Sequence, residues 1–327
     1  MKEERVCAKG AAGWRSRRLR KLITKIMSKL LVKEYPGLKT PFWKKNPHIQ
    51  TLAAVFHKPR AATEIPISKL VPLSDGDRLA IHDDIPDSWS RGDRIAILLH
   101  GLGGSHQSNY VARISSRLRQ RGIRTVRIDM RGFGDSKLIS TGHLYAGCSH
   151  DLEDVIEFVH QRQPLSPISL IGFSLGGNII LKTLTDWSDQ PHANVDSAIA
   201  VSPPIDLTYC SANLRSHGNR FYEYYFARQL KKQLIYRRRH VLNLIDNGLN
   251  PLPDRLVHFD DQFTAPVNGY SGAREYYRKC STFDRLKRIH VPVVVVAAED
   301  DPVVPFEMFD AGLFSSQIEF CLLYTSP

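Results

Sequence analysis

The sequence predicts an α/β fold, a mainly parallel, doubly wound sheet carrying a helical cap insertion. Three observations carry that expectation. Short apolar runs alternate with helix-like stretches from Arg94 to Val201, the pattern of strands joined by crossover helices. A glycine-flanked serine, Gly172-Phe173-Ser174-Leu175-Gly176, stands where one apolar run gives way to a helix. The alternation then stops between about residues 205 and 289, where aromatic and basic helical sequence intervenes before a last pair of strands.

Taken in order, the elements begin with "PISKLVPLSDGDRLAIHDDI", two extended runs around Asp75-Gly76, a hairpin turn signal. "RIAILLHG" is a buried parallel strand ending in glycine. "NYVARISSRLRQRG" is helical and stops at Gly122. "IRTVRIDMRGFG" is a strand and a glycine-rich turn, and "HDLEDVIEFVHQRQ" a helix whose first-turn acids suit the helix dipole. The strand "ISLIGF" leads into Ser174 and the helix "GGNIILKTL", then come the strands "DSAIAVSPP" and "VPVVVVAAED". "NRFYEYYFARQLKKQLIYRRRHVLNLI" reads as a cap helix over the carboxyl edge of the sheet, and "QIEFCLL" as the last strand.

Composition narrows the function classes. Hydrophobic residues make up 42% and charged residues 24% of 327, as in an ordinary globular protein. The five cysteines are scattered, odd in number and without a CxxC pair, which suits a reducing cytoplasm and argues against zinc or disulfide frameworks. The net charge of +12 is concentrated in residues 1–33, which hold +9 and leave +3 for the other 294. The body is therefore not basic enough to read as a nucleic-acid binder. In "WRSRRLRKLITKIMSKLLVK" the apolar residues Leu19, Leu22, Ile23, Ile26, Met27, Leu30 and Leu31 fall on one helical stripe. A basic amphipathic helix of this kind suits peripheral contact with an anionic membrane. Packing on the domain, or translation from an upstream start with Met27 as the real one, are the readings the residues leave open.

The chemistry centres on Ser174. Strand, tight turn and helix are the setting of a nucleophile elbow, where flanking glycines avoid collision and the helix N-terminus faces a developing oxyanion. A plain Ser N-cap is the alternative. His100-Gly101-Leu102-Gly103-Gly104 follows an earlier strand, the place where such enzymes carry the second oxyanion donor. The backbone N–H groups of Leu102 and Leu175 are the expected donors. His100 precedes the serine and ends a core strand, so it reads as structural. In "VVVVAAEDDPVVP" an acid follows a late strand, and Asp301 is preferred to Asp300 and Glu299 as the carboxylate that orients a base. "RGFGDS" lacks the lysine of a phosphate-binding loop.

These pieces resemble the α/β-hydrolase superfamily, and within it the YheT-like (AB-hydrolase 4) family. The resemblance spans about residues 40–320 and rests on "NPHIQTL", "HGLGGS", "DMRGFGDS", "GFSLGGNIILK", "VSPPIDL", "AEDDPVVP" and the cap string from Phe259 to Ser281. It implies a serine hydrolase of carboxylic esters, of short-chain or monoacylglycerol type, with Ser174 and Asp301 in a Ser–Asp–His triad and no cofactor or metal. An acyltransferase or a non-catalytic binding protein on the same fold are the alternatives. The histidine would follow Asp301, yet the last one in the sequence is His290. One frame of a common sequencing-library transposon end encodes Cys-Leu-Leu-Tyr-Thr-Ser, the residues at Cys321–Ser326. Residues 321–327 therefore read as a non-native tail, and the last strand–helix region as incomplete.

Overall fold

The computed structural model describes residues 66–187, 190, 192, 194–237 and 253–323. The amphipathic stretch 1–33, "NPHIQTL" and residues 324–327 lie outside them. Eight strands form one sheet in the order β1-β2-β4-β3-β5-β6-β7-β8. β1 (Ile67–Pro72) and β2 (Arg78–Asp84) make the expected hairpin, with Gly76 at φ 86° in the turn. β2 runs antiparallel to β4 (Arg124–Asp129). From β4 onward every pairing is parallel: β3 (Ile95–Leu99), β5 (Ile168–Phe173), β6 (Val195–Val201), β7 (Val293–Ala298) and β8 (Ile318–Leu323). β8 takes in Cys321–Leu323, the start of the segment read as a tail, and aligns them with Val296–Ala298.

β3 is buried at all five positions, as a strand covered on both faces must be. One face is covered by helices α2 (Ser149–Arg162) and α3 (Leu175–Asp186), the latter packed on β5 and β6. On the other, α1 (Asn109–Arg119) lies over β3 and β4, closing Val111 onto Ala96, Leu98 and Ile171. Ionic pairs tie β2 to β4, Arg124 to Asp83 at 2.6 Å and Arg127 to Asp84 at 2.8 Å. Arg131, just past β4, grips Asp151 with two nitrogens at 2.6 and 2.7 Å and Asp77 at 2.8 Å. The first-turn acid of α2 is thus committed to a buried arginine, and the glycine turn "RGFGDS" is a tethered corner.

Between β6 and β7 the chain leaves the sheet. It forms α4 (Leu207–Leu214), α5 (Arg220–Arg237), a helical run from Leu256 to Val267, and α6 (Ala273–Cys280). Asp206 caps α4 by accepting the Tyr209 N–H at 3.0 Å. Among the described residues no helix is long and apolar enough to cross a membrane.

Candidate active site

Ser174 sits between β5 and α3 at φ 50°, ψ −120°, a conformation that an L-residue holds only under strain. The surroundings enforce it. A Cβ on Gly172 would lie 2.5 Å from the Gly176 carbonyl oxygen, and one on Gly176 2.6 Å from that of His100. Only glycine lets strand, turn and helix come so close. The Ser174 N–H donates to the Val201 carbonyl at 2.7 Å, tying the turn to the end of β6. Its side chain makes no capping hydrogen bond. A serine placed only to cap α3 would point its oxygen at the N2 or N3 amide.

The hydroxyl instead belongs to the wall of a cavity of about 110 Å³. Leu102 and Leu175 line it from the sheet side, and Leu207, Phe226, Leu256 and Tyr277 from the cap. Leu175 is the first residue of α3, so its N–H has no intrahelical acceptor. Gly101 backs directly onto the serine, where an added Cβ would stand 3.1 Å from that of Ser174. Leu102 of the "HGLGG" turn and Ser174 and Leu175 of the elbow thus line the same cavity.

His100 is fully buried and both ring nitrogens are engaged. Nδ1 meets the Gly101 carbonyl at 2.7 Å, and Nε2 accepts the Met130 N–H at 3.1 Å. Burial pushes its pKa down. This histidine holds the turn together and offers no free nitrogen to a serine.

Asp301 follows β7 and accepts the N–H groups of Val303 and Val304 at 2.9 and 3.0 Å. Burial raises its pKa against those bonds and one from Ser202. Ser202 itself has φ 45° and its N–H donates to the Val296 carbonyl at 2.7 Å. Ser174 and Asp301 are thus fastened to the same strand end, β6, from opposite sides. Glu299 is exposed. Among the described residues no histidine lines the cavity.

Sequence reasoning missed a second polar cluster behind the "HGLGGS" turn. His82 Nε2 and His106 Nδ1 both contact Asp129 Oδ2, at 3.0 and 2.7 Å, and the N–H groups of His106 and Asp135 also donate to that carboxylate. Burial works to raise the Asp129 pKa, but the histidine hydrogen bonds override it and hold the carboxyl far below the usual range. With Asp135, these residues bring four ligand atoms within 4.8 Å of one another. The imidazoles, however, stack at 3.4 Å with only 15° between planes. The nitrogens that face the cluster, His82 Nε2 and His106 Nδ1, are both engaged by the one oxygen Asp129 Oδ2. The geometry suits a hydrogen-bonded knot.

A sequence profile described as the alpha/beta hydrolase fold matches residues 97–310. Among curated proteins the chain is similar to YheT of Escherichia coli (strain K12), which carries an esterase designation. The two are 28% identical over 272 residues, covering 80% of this chain and 77% of YheT. It is also similar to monoacylglycerol lipase ABHD2 of Homo sapiens, 26% identical over 298 residues, covering 84% of this chain and 68% of that protein. Of solved structures, the Pyrococcus furiosus esterase Pf2001 superposes with a TM-score of 0.52 at 16% identity, covering 82% of this chain and 89% of that one. At that identity the likeness is one of fold.

Proposed function

The chain belongs to the α/β-hydrolase family, and from that premise we propose that it cleaves carboxylic esters through nucleophilic attack by Ser174. The observation that carries the reading is the strained Ser174, its hydroxyl unused as a cap and facing a cavity built jointly by sheet and cap. Backbone strain of this kind persists only where the surrounding structure enforces it, and it clusters at functional sites.

In the proposed reaction Ser174 Oγ bonds to the ester carbonyl carbon while a base takes its proton. The N–H groups of Leu102 and Leu175 stabilise the oxyanion. The C–O bond then breaks, the alkoxide leaves with the proton, and water clears the acyl group by the same steps. Asp301 orients and stabilises the protonated base. In this fold that base is a histidine after the acid, and no residue after Asp301 in this sequence is a histidine. We therefore infer that this chain alone turns over slowly, through positioning and oxyanion stabilisation. The apolar cavity walls and the names borne by relatives favour short-chain or monoacylglycerol-type lipid esters as substrates. The basic amphipathic sequence within residues 1–33 suits contact with a membrane that holds such a substrate.

The test is hydrolysis of 1-monobutyrylglycerol with and without added imidazole, alongside labelling by a fluorophosphonate probe. The expected result is slow hydrolysis and slow labelling of Ser174, both rising with imidazole and both lost in Ser174→Ala. Undiminished hydrolysis by Ser174→Ala, or a label elsewhere, would overturn the assignment.

A further inference from the structure

The cavity that holds Ser174 is apolar over most of its wall but is lined by one carboxylate. Asp260, in the helical run of the cap, lines it while only 7% exposed. Its Oδ2 accepts the Tyr277 hydroxyl at 2.7 Å, and the Thr264 hydroxyl is a second partner. Ser211, Thr264 and Tyr277 line the cavity too, and two of these three hydroxyls, those of Thr264 and Tyr277, bond to the carboxylate. Tyr277 is in turn bonded to Ser211, and Thr264 lies 3.5 Å from His143 Nε2.

A carboxylate is an expensive way to hold a tyrosine hydroxyl. Tyr277 and Thr264 ask only for a neutral acceptor, which asparagine would supply without burying a charge. A carboxylate has about four lone-pair sites, and two donors do not exhaust them. The remaining capacity faces the space where an ester bound at Ser174 must fit. An acyl chain has no donor to offer it; the alcohol portion of a polyol ester does.

We propose that Asp260 is the specificity-determining residue of this cavity, accepting a hydrogen bond from a free hydroxyl on the alcohol portion of the ester. The proposal rests on ester cleavage at Ser174 and says which esters are preferred: those of polyols such as glycerol over those of simple alkanols. Burial raises the carboxyl to about 6 against the bonds from Tyr277 and Thr264. The acceptor is therefore charged at neutral pH, and the preference for polyol esters fades as pH falls below about 6.

The experiment compares 1-monobutyrylglycerol with ethyl butyrate, which share an acyl group, in the wild type and in Asp260→Asn, with imidazole present. The expected result is a drop of about five- to tenfold in kcat/KM for the glyceryl ester, the difference between a hydrogen bond to a charged group and one to the neutral asparagine amide. Ethyl butyrate cleavage stays unchanged, and at pH 5 the two proteins converge. An equal loss on both esters would make Asp260 a structural residue and overturn the proposal. So would an unchanged ratio, or a selective loss on butyrylcholine, which would mark recognition of a cation instead. A second readout does not depend on turnover. Thermal stabilisation by the non-hydrolysable ether 1-O-butylglycerol should exceed that by 1-butanol by a wider margin in the wild type than in the variant. If no ester is cleaved but this difference holds, the Ser174 assignment fails and the Asp260 assignment stands; if the difference is absent, the Asp260 assignment fails.

Discussion

Gly176→Ala puts the elbow to its sharpest test. The new methyl carbon would stand 2.6 Å from the His100 carbonyl oxygen, 2.8 Å from Leu99 Cβ and 2.9 Å from the Leu99 carbonyl oxygen. Carbon contacts are comfortable from about 3.5 Å, so these atoms and the helix must part by roughly 0.6–0.9 Å. Leu99 ends β3 and His100 follows it, and that strand is pinned between β4 and β5. The side that yields is α3, and Ser174 moves with it. Overpacking of this kind costs about 1–3 kcal/mol, offset by up to ~1 kcal/mol for exchanging a helical glycine for alanine. At about 2–4 °C per kcal/mol for chains of somewhat smaller size, the melting temperature falls by a few degrees. A displacement on the order of 1 Å at the nucleophile costs on the order of a hundredfold in kcat. Two further glycines grade the effect. Gly177→Ala meets its nearest atoms at 3.2 Å and costs less, and Gly218→Ala meets nothing within 4 Å and is neutral. Thermal scanning and the imidazole-supported ester assay on all three variants check the series. Wild-type melting and turnover in Gly176→Ala, or an equal penalty at Gly218, would refute the steric argument.

Three other outcomes are expected. Ser174→Gly removes the strain at φ 50° and raises stability by up to about 1 kcal/mol while abolishing hydrolysis; denaturant titration beside the ester assay would show the two effects diverging. Arg131→Met leaves the carboxylates of Asp77 and Asp151 without their buried partner and costs about 3–5 kcal/mol, measured as a lower urea midpoint, with a smaller loss at pH 5 than at pH 8. For Asp260 the folded carboxyl lies at about 6, above its ordinary 3.8, so the fold takes up a proton. Wild-type stability should therefore decline as pH rises from about 4 to about 6, a decline worth at most about 3 kcal/mol. Asp260→Asn should lack it and melt higher at pH 8, which a melting series across pH 4–8 would reveal.

What the sequence made legible follows from how local the signals are. "ISLIGF" became β5 without a residue's error, because an apolar run meeting a glycine-flanked serine bounds itself at both ends. Asp75-Gly76 gave the hairpin for the same reason. The placements of Ser174, Leu102, Leu175 and Asp301 were read from motifs that follow strands, and strand ends are where a parallel sheet gathers its loops. The Asp129 knot escaped because its histidines come from β2 and the turn after β3, joined to Asp129 only by an antiparallel pairing and a loop that no short pattern encodes. Asp260 escaped for a different reason. It lies in the family-like string of the cap, but nothing in "FDDQFTAP" separates an exposed first-turn acid from one that faces a cavity. The π-turn at Asp260–Thr264, which sets the facing, has no signature of its own.

The cavity has an unequal floor and roof. Below it, Asp129 collects four hydrogen bonds that lock β2, β4 and the "HGLGGS" turn together. Above it, the cap and its seat hold buried polar atoms without partners among the described residues: Glu223 Oε1, both side-chain amide atoms of Gln233, and His143 Nδ1. Each favours a state in which water can reach it. Amide hydrogen exchange would read this as a gradient, with α5 exchanging through small local openings and β3 and β4 only through global unfolding. Such a molecule can admit a bulky guest from above while the groups that act on it stay where they are.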